Sequence, residues 1–187
     1  MRDYNEYDNM KKRLIIAGIS EIEEHGLSQC SLRRVAAKCD VSCAAPYKHF
    51  KNKDDFILAV IKYIAEQWRM LETTIISAYS SDKEKQIEEV AAAYIRFWIA
   101  NPNFRSILLM NPRQMDAEQK LARADIDKNL TTMIADFKSA HKDSGKTVFE
   151  VRSLIYGALL MLEYNELENS EQTIEQIKMS IKETLTK

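Results

Sequence analysis

Residues 31–56 read Ser31-Leu32-Arg33-Arg34-Val35-Ala36-Ala37-Lys38-Cys39-Asp40-Val41-Ser42-Cys43-Ala44-Ala45-Pro46-Tyr47-Lys48-His49-Phe50-Lys51-Asn52-Lys53-Asp54-Asp55-Phe56. Leu32, Val35 and Ala36 fall on one side of a short helix ending near Lys38, and the Ser31 hydroxyl stands where it can accept a first-turn backbone N–H. After Cys39-Asp40-Val41, Ser42 is a second capping candidate and opens another short helix to His49. Two short helices joined by a tight turn form a helix-turn-helix. Val41, Ala45 and Phe50 then face a core, leaving Ser42, Cys43, Ala44, Tyr47, Lys48 and His49 on an outer surface.

Charge is unevenly distributed around this stretch. From Ser31 to Lys53 there are six basic residues, Arg33, Arg34, Lys38, Lys48, Lys51 and Lys53, against the single acid Asp40. From Lys62 to Lys187 the chain holds 17 basic and 19 acidic residues, and the whole of it has a net charge of −1. A small basic head thus precedes a mildly acidic body. An α-helix fits the major groove of B-DNA, and Tyr47, Lys48, His49 and Lys53 are donors suited to phosphate oxygens.

Further from the head the chain reads as consecutive helices. With 187 residues, only four Gly and three Pro, 45% hydrophobic and 29% charged residues, the composition is that of an all-α globular protein. Ile15, Gly18, Ile19 and Ile22 form one helical stripe that places a helix over 10–25, closed by Gly26. Asn52 starts a long helix to Ala78, Ser80-Ser81-Asp82 breaks it, and the next helix covers 83–100. Asn101-Pro102 and Asn111-Pro112 each place an Asn cap before a Pro, with a short helix between them. A longer helix is expected over 112–141, with His141 complementing its C-terminal dipole. A turn at Asp143-Ser144-Gly145 and helices over 146–167 and 171–186 complete the chain.

Several classes of function are excluded or left as alternatives. The longest stretch without a charge, Ser153 to Leu162, is shorter than a membrane span, and the polar N-terminus lacks a signal-peptide core, so a cytoplasmic protein without membrane contact is expected. Three cysteines, Cys30, Cys39 and Cys43, are too few for a disulfide scaffold and read as free thiols. Cys30 lies at the far end of its helix from Cys39, so no metal site is expected. A Gly-rich phosphate loop, a His-Glu-x-x-His pattern and a Gly-x-Ser-x-Gly elbow are all missing, and neither enzyme activity nor a cofactor is expected. Two alternatives stay open beside a DNA-binding regulator: a helical adaptor or scaffold without duplex affinity, and a regulator switched by oxidation of Cys43.

The head resembles the DNA-binding domain of the TetR family of bacterial transcriptional regulators. The resemblance runs through Arg13-Leu14-Ile15-Ile16-Ala17-Gly18-Ile19, Glu24-His25-Gly26, Ser31-Leu32-Arg33-Arg34-Val35-Ala36 and Val41-Ser42. It ends in Tyr47-Lys48-His49-Phe50-Lys51-Asn52-Lys53. It implies that Ser31 and Ser42 lie near phosphates, that Arg33 approaches a base or phosphate, and that Cys43 and Ala44 face base edges. Tyr47, His49 and Lys53 would hold the backbone, with Lys48 reaching either. Two departures stand out. Asp40 occupies a turn position where the family usually has Gly, and Pro46 removes a helical N–H and crowds the Ser42 carbonyl, so the second helix is expected to begin irregularly.

The resemblance also implies a division of the chain into a DNA-binding domain, residues 1–60, and an effector-binding and dimerisation domain, residues 61–187. Trp68, Tyr94, Trp98, Phe104, Met133, Phe137 and Tyr156 are candidates for lining a pocket for a small-molecule effector; aromatic and Met side chains suit apolar ligands. Each is equally readable as core at helical spacing. Tyr156 to Leu162 and the seam Ile174, Ile177, Ile181 and Leu185 are candidates for a homodimer interface. The whole is expected to be a ligand-responsive repressor of a near-palindromic operator in double-stranded DNA.

Overall fold

The computed structural model describes residues 2–108, 111–138 and 144–187, and every regular element among them is helical. The α-helices are α1 (Arg2–His25), α2 (Leu32–Lys38), α3 (Lys53–Ala78), α4 (Lys83–Ala100), α5 (Arg105–Leu108), α6 (Ala117–Ala124), α7 (Lys128–Phe137), α8 (Ser144–Glu163) and α9 (Glu171–Thr186). Short 3₁₀ turns lie at Pro46–Lys48, Pro102–Phe104 and Pro112–Gln114. By packing, the chain forms two compact units, residues 1–66 with 102–124 and residues 67–101 with 125–187. The all-α class expected from the composition is what the chain adopts.

In the first unit the stripe of α1 is buried as expected: Leu14, Ile15, Ile19 and Ile22 meet Leu32, Val35 and Ala36 of α2, and Phe56, Ile57, Val60 and Ile61 of α3 complete the core. Gly18 is needed for close approach, because a Cβ there would lie 2.1 Å from the Phe56 ring. Helix α1 stops at His25, before Gly26 at φ +76°. It begins at Arg2, not at Met10, so the polar N-terminal residues add two turns that their lack of apolar periodicity had hidden. Helix α2 ends in a Schellman arrangement: Val41 N–H donates to the Ala36 carbonyl at 3.1 Å, Asp40 N–H donates to that of Ala37 at 3.2 Å, and Asp40 takes φ +55°. Asp40 makes the left-handed turn without glycine.

The second segment of the helix-turn-helix departs furthest from expectation. No α-helix forms over 42–49; the chain makes successive i to i+3 bonds, from Ala45 to Ser42, Tyr47 to Ala44, Lys48 to Ala45 and His49 to Pro46. Pro46 has no N–H to give the Ser42 carbonyl, and the tighter 3₁₀ winding follows. Helix α3 then starts on a cap, Asp55 N–H donating to Asn52 Oδ1 at 2.9 Å.

Residues 101–137 also depart from the expected helices. Asn111 caps its turn, accepting from Arg113 N–H at 3.0 Å, but Asn101 serves the end of α4 by donating to the Phe97 carbonyl at 2.7 Å. The single helix expected over 112–141 is divided into the Pro112–Gln114 turn, α6 and α7. Asp116 and Gln119 cap α6 reciprocally, Gln119 N–H donating to Asp116 Oδ1 at 2.8 Å and Asp116 N–H to Gln119 Oε1 at 3.2 Å. Ile126, in the chain after α6 and before α7, is buried, which no continuous amphipathic pattern requires. His141 and Asp143 lie outside the described residues, while Ser144 and Gly145 already belong to α8.

In the second unit α4, α7, α8 and α9 pack on one another around Ile87, Val90, Ile95, Ile134, Val151, Ile155 and Leu159. Helix α8 closes with Asn165 at φ +56°, and Ser170 caps α9 by accepting from Thr173 N–H at 3.2 Å. Ile174, Ile181 and Leu185 of the expected interface seam are buried within the chain's own bundle. They are core, and Ile177 alone of the four lines the outer groove between α8 and α9. Lys178, also buried, donates to Glu89 and Glu175 at 2.8 Å each. Burial opposes its charge, but these two carboxylates outweigh it and raise the ammonium pKa.

Candidate nucleic-acid interface

The recognition surface is built on one tight turn. Ser42, Cys43, Ala44, Tyr47 and Lys48 are all exposed, Tyr47 at 60%, while Pro46 and Phe50 are buried beneath them. Val41 and Ala45, expected in the core, are half-buried. Phe50 meets the Phe56 ring edge-on at 4.9 Å, which fixes the far end of the turn. Arg33 is exposed on α2, and Ser31 is half-buried. The Ser31 hydroxyl makes no cap bond; its backbone N–H donates instead to Glu21 Oε1 at 3.2 Å. Lys53 is half-buried, its ammonium donating to the Ser28 carbonyl at 2.8 Å. This bond ties the start of α3 to the α1–α2 loop and holds one of the expected phosphate donors in place.

His49 is half-buried, with Nδ1 inside the protein and no partner among the described residues. Burial, with Lys11 and Lys48 nearby, lowers its pKa. The imidazole is therefore neutral near pH 7, and a phosphate held there would meet an N–H dipole rather than a cation.

Not all of the basic residues belong to this surface. Arg34 donates to buried Glu21 Oε1 at 2.6 Å and to the Gln29 carbonyl, and Lys38 pairs with Glu24, whose carboxyl is held below its ordinary pKa by that bond. These two cations lock α2 onto α1. Arg33, Lys48, Lys51 and Lys53 remain for an anionic partner. Glu21, Glu24 and His25 come within 4.8 Å of one another, but the carboxylates are already engaged by Arg34 and Lys38, which makes the trio an ion-pair cluster. Cys30 and Cys39 are buried; burial pushes the Cys30 thiol up to about 11 and also raises that of Cys39. Cys43 is exposed on the recognition turn.

Residues 14–60 match the model of the bacterial regulatory proteins of the tetR family. The chain has a TetR-like head. No curated protein matches it, but the fold extends over the whole chain. A TetR-family transcription regulator from Marinobacter aquaeolei VT8 superposes with a TM-score of 0.78 at 16% identity, over 98% of both chains. One from Streptomyces coelicolor gives 0.71 at 21%, over 94% of this chain and 93% of the other. The transcriptional regulator FadR from Bacillus subtilis, solved with stearoyl-CoA, gives 0.66 at 17%, over 93% and 96%. At these identities the likeness is one of fold. No helix among the described residues is long and apolar enough to cross a membrane.

The fold places the pocket candidates unequally. Trp68, Tyr94 and Trp98 come together with Phe97 in one cluster, with ring centroids 5.0 Å apart for Trp68 and Tyr94 and 5.8 Å for Tyr94 and Trp98. The first three are at most 1% exposed. Met133 and Phe137 are half-buried on α7. Half-buried Tyr156 donates to Asp127 Oδ2 at 3.0 Å, where Arg152 also binds at 2.8 Å. Phe104 lies in the first unit, on the Pro102–Phe104 turn.

Two residues here had escaped the sequence reading. Glu72 is 1% exposed, and Asn129 Nδ2 donates to its Oε2 at 2.8 Å; burial raises its pKa despite that bond and the nearby Trp68 and Arg69. A Glu four residues after a core Trp is the available signal. Tyr7 lies on the face of α1 that continues back from Leu14 through Lys11, and that spacing marks it.

Proposed function

We propose that this TetR-like regulator is a ligand-responsive repressor that binds a near-palindromic operator in double-stranded DNA as a homodimer and works in the cytoplasm. The observation that carries the reading is the recognition turn: five consecutive-face residues, Ser42, Cys43, Ala44, Tyr47 and Lys48, stand exposed over a buried Pro46 and Phe50. Phosphate contacts position and base contacts specify. Tyr47, His49, Lys53 and Ser31 take the backbone, with the Ser42 hydroxyl beside them; Arg33, Cys43, Ala44 and Lys48 read bases. Residues 1–60 hold this task, and residues 61–187 hold effector binding and dimerisation.

The dimer uses the outer face of α8 and α9, where a groove of about 590 Å³ is lined by Phe149, Leu154, Gly157, Met161 and Ile177 and Phe149 is 71% exposed. Apolar side chains of that size stand out on a monomer's surface. The effector is an apolar small molecule held among Met133, Phe137 and the aromatic cluster of Trp68, Tyr94 and Trp98, with Tyr156 at its margin. The structural neighbour that carries stearoyl-CoA makes a long-chain acyl-CoA the first ligand to try. It releases DNA only if it binds the released state better, by about 1–3 kcal/mol for a typical coupling.

Selection of bound duplexes from a random pool tests the reading. The protein should enrich a palindrome with half-sites about 34 Å apart, and Tyr47→Ala should lose both this sequence and random duplex. Enrichment of a single half-site would remove the dimer. Weak binding without salt dependence and without enrichment would leave the helical-scaffold reading in its place.

A further inference from the structure

We propose that the N-terminal extension of α1 is a strap that holds the recognition turn in its DNA-reading shape, with Tyr7 as the positioning residue. The inference rests on the DNA-binding reading above. Its starting point is the defect that Pro46 introduces. A regular α-helix carries its own shape through i to i+4 bonds, but residues 42–50 have mainly the i to i+3 set, which is poorer in geometry and short in reach, with one i to i+4 bond from Phe50 N–H to the Pro46 carbonyl at 2.9 Å. An exposed turn of this kind needs support from outside.

Tyr7 provides it at two points. Its hydroxyl donates to the Lys48 carbonyl at 3.1 Å, across 41 residues of sequence. Its ring packs on the His49 imidazole with centroids 4.2 Å apart and planes tilted by 40°. One turn further along α1, Lys11 stands over the Phe50 ring at 5.9 Å. Three successive residues at the end of the recognition segment, Lys48, His49 and Phe50, are thus each held by the same face of one helix. The side chains of Tyr47 and Lys48 project from the backbone that Tyr7 fixes, and His49 Nδ1 is covered.

The strap therefore acts on discrimination rather than on general affinity. Phosphate attraction depends on charge and tolerates small shifts, whereas base-edge bonds depend on angles. Loosening the turn should cost specific binding first.

The test uses the full chain and the palindrome selected above, with thermal unfolding measured alongside. Tyr7→Phe keeps the ring and removes only the hydroxyl bond; its affinity for the palindrome should fall about threefold to tenfold, the range of one neutral hydrogen bond. Random-duplex affinity, salt slope and melting temperature should stay at the wild-type values. Tyr7→Ala should lose more, and the ring-current shift of the His49 protons seen by NMR in the wild type should persist in Tyr7→Phe and disappear in Tyr7→Ala. Equal losses on palindrome and random duplex would make Tyr7 a phosphate contact and overturn the strap. Wild-type affinity for the palindrome in Tyr7→Phe would overturn it as well, even if Tyr7→Ala failed to fold. If the wild-type protein selected no palindrome, the DNA-binding reading itself would fall, which the Tyr7 comparison alone does not decide.

Discussion

The recognition turn and the aromatic cluster of the second unit use similar side chains to opposite ends. At residues 42–50 the backbone is held from α1 by Tyr7 and anchored by its own buried Pro46 and Phe50, while the side chains of Ser42, Cys43, Tyr47 and Lys48 stand in solvent. Around Trp68, Tyr94 and Trp98 the side chains themselves are the interior, and the helices that carry them need nothing further. The same residue type, an aromatic ring at helical spacing, is a surface for a partner in one place and packing in the other. Exposure separates the two: 60% for Tyr47 against 0% for Trp98.

The largest expected effect tests that contrast directly. Trp98→Ala removes a fully buried ring that packs against Tyr94 and Phe97, and should lower the urea-unfolding free energy by about 3–5 kcal/mol. Tyr47→Ala, by contrast, should stay within about 0.5 kcal/mol of wild type while losing DNA. A loss below about 1 kcal/mol for Trp98→Ala would mean that the cluster is poorly packed and that the rings themselves leave room for the proposed effector.

How far the sequence reached follows from the same contrast. Periodic burial was readable, so α2, α4 and α9 have the ends that their apolar spacing predicts, and Gly26 closes α1 where it should. Capping chemistry was readable where one side chain suffices, as at Asn111, which accepts from Arg113 N–H at 3.0 Å. What escaped were interactions between distant segments. The break that separates α6 from α7 follows the burial of Ile126, which local pattern does not record. The ion pair of Arg34 with Glu21 turned an apparent DNA cation into a structural one. Helix α1 was read too short because its first two turns have their reason at Lys48 and His49, 41 and 42 residues on.

Glu72 provides the next test, and a smaller one. Its carboxyl is 1% exposed and its folded pKa lies above the ordinary value because burial disfavours the charged form. The folded state therefore holds the proton more tightly than the unfolded chain. Stability from this group is fully present below the unfolded pKa, about 4.3, and is lost as pH rises through the folded pKa. Glu72→Gln keeps an oxygen for Asn129 and removes the titration, so its unfolding free energy should lack that decline and be at least equal to the wild type's at pH 8. A variant less stable at pH 8 than at pH 5 by the same margin as wild type would assign the slope to other carboxyls.

The smallest effect is expected at Asp40, and it bears on why the turn carries no glycine. At φ +55° a non-glycine residue pays a left-handed penalty of about 1–2 kcal/mol, reduced for Asp because its short polar side chain tolerates this region. Asp40→Gly removes that penalty but adds about 0.5–1 kcal/mol of backbone entropy to be lost on folding. The two terms nearly cancel, so the melting temperature should rise by no more than a few degrees, and DNA affinity should not change because the Val41-to-Ala36 and Asp40-to-Ala37 bonds need only the backbone. Asp40→Val, whose β-branched side chain resists positive φ, should instead lower the melting temperature. If Asp40→Gly weakened DNA binding without destabilising the head, the carboxylate itself would have a role at the interface, and the turn would belong with the exposed functional surface rather than with the frame that holds it.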